Sequence, residues 1–398
     1  MRFLILNFSH PKFPSWLYTQ HPGLENQPYG EQIRVWNESM YFRADFYSEN
    51  LRKLGHEAHE IHAENEFLQR AWAREQGLGI EVPKPATLRA RRVLLRSRQI
   101  AGNSPLRYIQ PLFRPLLRWL VRQGSWYYDI LAAQIKHYKP DILLNTSVYL
   151  ISSAFLKTMK PYVGLLVAQI AAGPFCKPLP KSEDSPYYDL IVSSFPPTVQ
   201  LFCGKGVPAE LLRLGFEPRA LSHLKEDENI PIPISFVGSV PFMHPSRIRF
   251  LENLCTRLDI QVWAPGVEAL QRRSAIRKAY MGHAWGLQMY QILARSKITL
   301  NHHGDIPPYA NNMRLFEATG VGTLLITDWK ENLHELFEPG KEVVAYRSAE
   351  ECAELIQYYL DHEAEREAIA RAGQQRTLKD HTYFQRMAEL VDIVSTHL

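Results

Sequence analysis

The stretch TLNHHGDIPPYANNMRLFEATGVGTLLITD, residues 299–328, holds two apolar runs separated by a polar loop and a short helical segment. The first run predicts a strand that ends at Asn301, and the second predicts a strand over 322–328. Neither run alternates with polar residues, which is typical of parallel strands buried on both faces. The helix between them is predicted to begin with Asn311 or Asn312 as its N-cap. This order of elements predicts an α/β fold.

The same alternation of strands and helices extends outward in two series. The second series has predicted strands at 235–239, 260–266, 297–301 and 322–328 and helices at 246–257 and 285–295. The first series has predicted strands at 2–7, 57–62, 141–145, 163–170 and 188–194, with a long loop to about residue 30 after the first strand. The proline-rich segment 230–234 predicts a stiff connection between the series. We therefore expect two Rossmann-like domains whose parallel sheets face each other across a cleft, with ligands at the carboxyl ends of the strands.

Composition and charge exclude several classes of protein. The 398 residues are 45% hydrophobic and 22% charged, which excludes a disordered chain or a polytopic membrane protein. The formal net charge is +5, yet ten basic residues and no acid lie between Pro83 and Tyr128, so the rest of the chain is net acidic. This distribution disfavours a nucleic-acid-binding protein. It predicts a local anion- or membrane-facing surface in a basic insertion at about 83–125.

The location in the cell is predicted from three absences in the sequence. The apolar N-terminal run is too short for a secretory signal, no run is long enough to span a membrane, and the four cysteines lack the spacing of a zinc site. We expect a cytoplasmic protein, with peripheral contact to the inner membrane face through residues 83–122 as one option. A solvated basic face packed on its own domain is the alternative.

Two charged residues on the predicted helix point to a ligand. Arg314 and Glu317 are three positions apart, so both side chains lie on one helical face. The arginine could donate to a diphosphate, the carboxylate could accept from two ribose hydroxyls, and a helix N-terminus favours phosphate. An ordinary surface ion pair explains the spacing equally well.

A family resemblance adds to these local arguments. The segments FVGS (236–239), YMGHAWG (280–286), SKITLN (296–301), RLFEATGVGTLLITDW (314–329), LFEPGKEVVAYRSAEECAELIQYYL (336–360) and REAIARAGQQRTLKDHTYFQRMAEL (366–390) carry it. They resemble the second domain of group 1 glycosyltransferases with the GT-B fold, and most closely its CgeB-like (spore maturation) branch. The resemblance implies an acceptor-side N-terminal domain over 1–228 and a nucleotide-sugar-binding domain over 229–382. It also implies a final helix, 383–398, that crosses back to the first domain.

The resemblance implies roles for individual residues. Glu317 matches the glutamate that binds the ribose, and the turn at Gly282 and His283 matches the one that contacts the base. The residues matched to the diphosphate are Gly238, Ser239 and Arg247, with Arg249 as an alternative. The residues matched to the distal phosphate and donor sugar are Asn311, Asn312 and Arg314. Many retaining members carry a second glutamate eight positions before the ribose-binding one, and Tyr309 stands there in this chain.

The catalytic candidates follow from the chemistry of sugar transfer. His302 and Arg314 could stabilise the leaving group or the donor sugar, and His303 could contact the donor, each with loop packing as the alternative. The sequence has no DxD motif and no metal-ligand spacing, so we predict a metal-independent reaction without a cofactor. A retaining reaction is favoured over an inverting one. If the reaction inverts, His21 is the candidate base, chosen from His10, His21, Glu31 and Asp45.

The predicted function is transfer of a sugar from a nucleotide-sugar to a hydroxyl-bearing acceptor, namely a glycan, a lipid-linked molecule or a protein. Two other classes stay open. A catalytically inactive GT-B protein could bind a nucleotide or glycan or act in assembly, and the residue at Tyr309 supports it. A nucleotide-sugar isomerase could share the same fold and much of the same site.

Overall fold

The computed structural model describes residues 1–10, 12–80, 125–146, 148, 150–170, 187–225, 231–240, 244–305 and 309–398. The predicted membrane-contact stretch 83–122 and Cys176 lie outside these residues. Within them, the other three cysteines are free thiols. No helix of the described ranges has the length and apolar character that a membrane crossing requires.

Twelve strands of the described residues form two sheets. In chain order they are β1 (Arg2–Asn7), β2 (Glu57–His62), β3 (Ile142–Asn145), β4 (Leu165–Gln169), β5 (Leu190–Ser193), β6 (Ala209–Leu211), β7 (Ile232–Val237), β8 (Gln261–Trp263), β9 (Tyr280–Gly282), β10 (Ser296–Asn301), β11 (Leu324–Asp328) and β12 (Val344–Tyr346). The first sheet has the order β2-β1-β3-β4-β5-β6 and the second the order β12-β11-β10-β7-β8-β9. All neighbouring strands in both sheets are parallel.

The helices connect successive strands. They are α1 (Lys12–Gln20), α2 (Tyr29–Glu38), α3 (Phe46–Lys53), α4 (Glu66–Glu75), α5 (Ser125–Tyr138), α6 (Ser153–Met159), α7 (Pro196–Cys203), α8 (Arg219–Ser222), α9 (Pro245–Cys255), α10 (Ala275–Lys278), α11 (Leu287–Arg295), α12 (Arg314–Gly320), α13 (Leu333–Leu336), α14 (Ala349–Asp361), α15 (Glu363–Asp380) and α16 (Tyr383–Ser395). Short 3-10 turns lie at Leu24–Asn26, Lys160–Tyr162 and Val267–Ala269.

The predicted fold class is confirmed. Strands β3, β4, β5 and β11 are buried along their whole length, as parallel strands covered on both faces must be. Each of the two sheets is a doubly wound α/β layer. The two apolar runs within residues 299–328 form β10 and β11, which are neighbours inside the second sheet.

Two sequence predictions about connections are wrong. The segment after β1 is not a long loop, because α1 packs the buried Phe13 and Leu17 against Trp36. Residues Ile232–Ile234 are not a linker, because they begin strand β7. Pro233 is tolerated there since it precedes Ser235, where pairing with β8 begins. Packing of side chains from distant parts of the chain decides both cases.

The last helix lies against an early one. Helix α16 begins at a capping box formed by Thr382 and Gln385. The Tyr383 ring contacts Phe46 and Tyr47 of α3, with centroids 5.3 and 5.5 Å away. The Tyr383 N–H donates to the carbonyl of Phe216 at 2.8 Å. The domain boundaries at 228 and 382 stay predictions.

Strand β2 buries a carboxyl group. The Glu60 side chain accepts hydrogen bonds from the Ser48 N–H, at 2.8 Å, and from the Asn7 amide. Burial raises the pKa of Glu60 to about 8, and the nearby Asp45 carboxylate adds to the rise. In the folded protein Glu60 therefore holds its proton at a pH where the unfolded chain has released it.

Replacement of this group should change how stability depends on pH. Because the folded pKa lies above the unfolded one, the unfolding free energy contributed by Glu60 falls as pH rises from about 5 to about 8. Glu60→Gln cannot titrate, so it should gain stability relative to wild type across this window, by at most about 4 kcal/mol. Urea unfolding of both proteins at several pH values measures the difference. Parallel curves for the two proteins would contradict the buried, protonated state of Glu60.

Candidate functional site

A cleft of about 450 Å³ lies at the carboxyl ends of β7 and β10. Residues from the first half of the chain, which contains the first sheet, close it on one side. His10, Tyr41 and Phe42 come from the first half. The sequence-predicted residues that line the cleft are Gly238, Ser239, Arg247, His302, Asn312, Arg314 and Glu317. The structure thus brings together seven positions that the sequence spreads over about eighty residues.

A buried ion pair lies in the wall of this cleft. Glu317 is only 5% exposed, and its Oε2 lies 2.9 Å from Nη1 of Arg314. Arg314 Nε donates to the carbonyl oxygen of Val237 at 2.9 Å, at the end of β7. Burial raises the pKa of Glu317, and the Arg314 guanidinium opposes that rise. The pair therefore stays oriented toward the cleft by contacts to two elements.

The helix that carries the pair begins one or two residues later than predicted. Met313 occupies the N-cap of α12, so the N-cap predicted at Asn311 or Asn312 is wrong. Asn312 still makes a capping bond, since its Oδ1 accepts from the Leu315 N–H at 3.3 Å. Its amide donates to Oδ1 of Asn301 at 2.8 Å, which ties the helix start to the end of β10. Asn311 does not line the cleft.

Arg247 connects the two loops at the base of the cleft. Its Nε donates to the carbonyl of His302 at 3.0 Å, and its Nη1 donates to the carbonyl of Ser239 at 3.1 Å. Burial lowers the pKa of Arg247, whose guanidinium is nevertheless charged at neutral pH. Arg249, the alternative to Arg247, does not line this cleft.

The two adjacent histidines have different environments. His302 lines the cleft and accepts the Gly304 N–H at its Nδ1, at 2.9 Å. Burial lowers the pKa of His302 to about 4, so the ring is neutral at pH 7 and its Nε2 is a donor. His303 is buried, and its Nδ1 lies 2.6 Å from Asp328 Oδ1. His303 does not line the cleft, because its side chain is buried against Asp328, and its predicted contact with the donor stays a prediction.

Three other predicted residues lie outside the cleft lining. Gly282 ends strand β9, and His283 Nδ1 lies 2.9 Å from the Tyr280 hydroxyl. The His283 ring is 5.8 Å from that of Trp285, which does line the cleft. His21 is exposed beyond the end of α1, so its position does not fit the predicted role as a base.

His10 occupies the place that the sequence analysis assigned to His21. Its Nδ1 accepts from the Lys12 N–H at 3.2 Å, and its ring lies 5.2 Å from Trp285. His10 therefore lies in the lining of the cleft with its Nδ1 occupied as an acceptor. Of the other base candidates, Asp45 pairs with Arg219 and Glu31 pairs with Arg34.

Aromatic contacts between the two halves close one end of the cleft, and sequence reasoning did not single them out. Trp285 lies 5.4 Å from Tyr41 and 6.1 Å from Phe13, measured between ring centroids. Beside it, the Leu287 N–H donates to the carbonyl of Ser39 at 2.9 Å. The motif YMGHAWG contained the signal, since an apolar ring beside a glycine in a loop often marks a close contact.

Among the described residues, no group of three or more His, Cys, Asp or Glu side chains is placed to hold a metal ion.

Two parallel doubly wound sheets facing across a ligand-sized cleft define the GT-B fold. Residues 247–392 match the family model described as glycosyl transferase-like. No curated protein matches the chain in sequence.

Solved structures share the fold at low sequence identity. HepE of Anabaena in complex with UDP-glucose aligns at a TM-score of 0.57 and 12% identity, over 100% of both chains. A glycosyltransferase from Rickettsia africae aligns at 0.54 and 12%, over 100% of this chain and 98% of that one. Sucrose-phosphate synthase from Thermosynechococcus elongatus aligns at 0.52 and 11%, over 100% of this chain and 99% of that one.

Gly286 is required where the two halves meet. Its φ is +52°, and a Cβ added there would stand 1.9 Å from the carbonyl oxygen of Ser39. Gly77, at φ +64° with nothing within 4 Å of an added Cβ, is a matched control. Gly77→Ala should cost about 1–2 kcal/mol for its backbone conformation. Gly286→Ala should lower the melting temperature further because it adds a steric clash, and equal melting temperatures would contradict the contact.

Proposed function

We propose that this protein is a glycosyltransferase that uses a nucleotide-sugar donor and a hydroxyl-bearing acceptor. The observation that carries the proposal is the Arg314–Glu317 pair, 2.9 Å apart and set in the wall of a cleft between two doubly wound sheets. The glycosyl transferase-like match over 247–392 includes both residues. HepE, with the same fold, is solved with UDP-glucose, which supports a nucleotide-sugar as the ligand of the cleft.

The charges of the cleft suit such a donor. The Glu317 carboxylate would accept from the ribose hydroxyls, and Arg314 would donate to the diphosphate. Arg247 would add positive charge beside the turn at Gly238 and Ser239. The base would lie toward Trp285, with Gly282 and His283 behind it, and Asn312 would hold the start of α12 beside the donor sugar.

The chemical step needs a stabilised leaving group. The bond from the anomeric carbon to the phosphate oxygen breaks, and a bond to the acceptor oxygen forms. Arg314 and Arg247 would stabilise the negative charge on the departing diphosphate, and His302 would donate through Nε2 to a substrate oxygen. We propose retention of configuration, with the acceptor proton passing to the leaving phosphate.

Several finer features belong to the same proposal. We place the protein in the CgeB-like branch and expect it to work in the cytoplasm, without a metal or a cofactor. A glycan, a lipid-linked molecule or a protein would be the acceptor. The basic stretch 83–122 would then contact an acceptor, a partner or a membrane.

The ribose role of Glu317 is tested by a conservative change. Glu317→Gln keeps the shape but removes the charged acceptor, so nucleotide affinity should fall by about 1–3 kcal/mol, which is roughly 5- to 150-fold. Isothermal titration with UDP, GDP, dTDP and CMP finds the preferred base and measures the loss. Glu354→Gln, an exposed change on α14, is the control. Unchanged affinity in Glu317→Gln, or equal losses in the two variants, would refute the role.

Metal independence and reaction class are tested together. Because arginines supply the positive charge, turnover of the preferred nucleotide-sugar with an acceptor should persist in EDTA. Loss of turnover in EDTA that Mg²⁺ or Mn²⁺ restores would overturn metal independence. Formation of an isomerised nucleotide-sugar without acceptor would instead identify an isomerase, and donor binding with no turnover under any condition would identify an inactive binding protein.

A further inference from the structure

A second cavity, of about 630 Å³, opens at the carboxyl ends of β11 and β12, beside the first turns of α9 and α14. Its lining residues in the described part of the chain come from the second half, and it shares His302 with the cleft described above. The His302 side chain therefore stands between the two cavities. Of the residues given a role in the proposed reaction, His302 is the one that also lines this second cavity.

Positive charge dominates the lining. Among the described residues that line the cavity, Arg249, Lys330 and Arg347 are cations and Asp328 is the carboxylate. The negative charge of Asp328 is already balanced, because His303 Nδ1 lies 2.6 Å from its Oδ1 and Lys330 Nζ lies 3.2 Å from its Oδ2. The cavity therefore keeps an excess of positive charge for a ligand to balance.

Arg249 and Arg347 stand apart from the ion pairs that the structure describes. Within the described residues, neither Arg249 nor Arg347 has a carboxylate oxygen within 4.0 Å. Two nearby acids are bonded to backbone instead, Glu351 to the Arg347 N–H at 2.6 Å and Asp305 to the Ser246 N–H at 3.0 Å. Two forked, permanently charged donors on one cavity suit an oxyanion with several acceptor oxygens.

An exposed aromatic ring completes the lining. Trp329 is 40% exposed, and the Arg347 guanidinium lies over its ring at 4.3 Å from the centroid. A large indole in contact with water, next to cationic donors, provides apolar area for the organic part of a charged ligand. A cavity of this volume also holds more than a bare inorganic ion.

We propose that this second cavity binds a phosphate ester, with the phosphate on Arg249, Lys330 and Arg347 and the organic part against Trp329. The site is separate from the nucleotide-sugar cleft, and the proposal does not depend on whether the chain transfers sugar. A soluble sugar phosphate and a phospholipid headgroup share this chemistry, so the experiment must distinguish them.

Isothermal titration of the full chain with glucose 6-phosphate and with inorganic phosphate tests the site. Glucose 6-phosphate should bind saturably and more tightly than inorganic phosphate. Arg249→Gln and Arg347→Gln should each weaken glucose 6-phosphate binding roughly tenfold. Arg371→Gln, an exposed arginine on α15 outside both cavities, should leave that affinity within about twofold. Circular dichroism and melting temperature check that each variant is folded.

Sedimentation with vesicles shows whether the phosphate belongs to a lipid headgroup. The vesicles contain phosphatidylcholine, with or without phosphatidylglycerol. A headgroup is the ligand if binding requires the anionic lipid and is lost in Arg249→Gln and Arg347→Gln. Vesicle binding that is the same in wild type and in both variants would show that lipid headgroups do not bind in the cavity, and its ligand would then be a soluble ester. The proposal is overturned if neither glucose 6-phosphate nor inorganic phosphate binds saturably and if vesicle binding does not depend on Arg249 and Arg347. Equal weakening in Arg371→Gln would overturn it too.

Discussion

Charged side chains are buried at the carboxyl edge of the second sheet, and a neighbouring group balances the charge of each. Glu317 lies 2.9 Å from Arg314, and Asp328 lies between His303 and Lys330. An uncompensated buried ion costs several kcal/mol even after the protein relaxes. The start of α12, the loop after β10 and the end of β11 therefore have to keep their relative positions for the domain to fold.

The same constraint prepares the cleft before any ligand enters. Arg247 donates to the carbonyls of Ser239 and His302, and Arg314 donates to that of Val237. These bonds tie the ends of β7 and β10 to α12, so the loops that would meet a diphosphate are held by side chains. A ligand that binds an ordered site avoids the entropy of ordering it.

The contact between the halves depends on close approach rather than on charge. Trp285 packs on Tyr41, and the backbone at Gly286 passes so near Ser39 that a Cβ has no room. A second contact joins α16 to α3, where the ring of Tyr383 lies next to that of Phe46. The shape of the cleft therefore depends on residues that are far apart in the sequence.

The two α/β series, the strands on either side of α12 and the shared helical face of Arg314 and Glu317 could be predicted from the sequence, because these features follow from periodicity among near neighbours. Which of the predicted residues meet depends on the folding of distant segments. Of two adjacent histidines, His302 faces the cleft and His303 packs on Asp328, and His10 rather than His21 reaches the cleft wall. The direction of a loop side chain is set by packing against elements distant in sequence, and no local pattern encodes that contact.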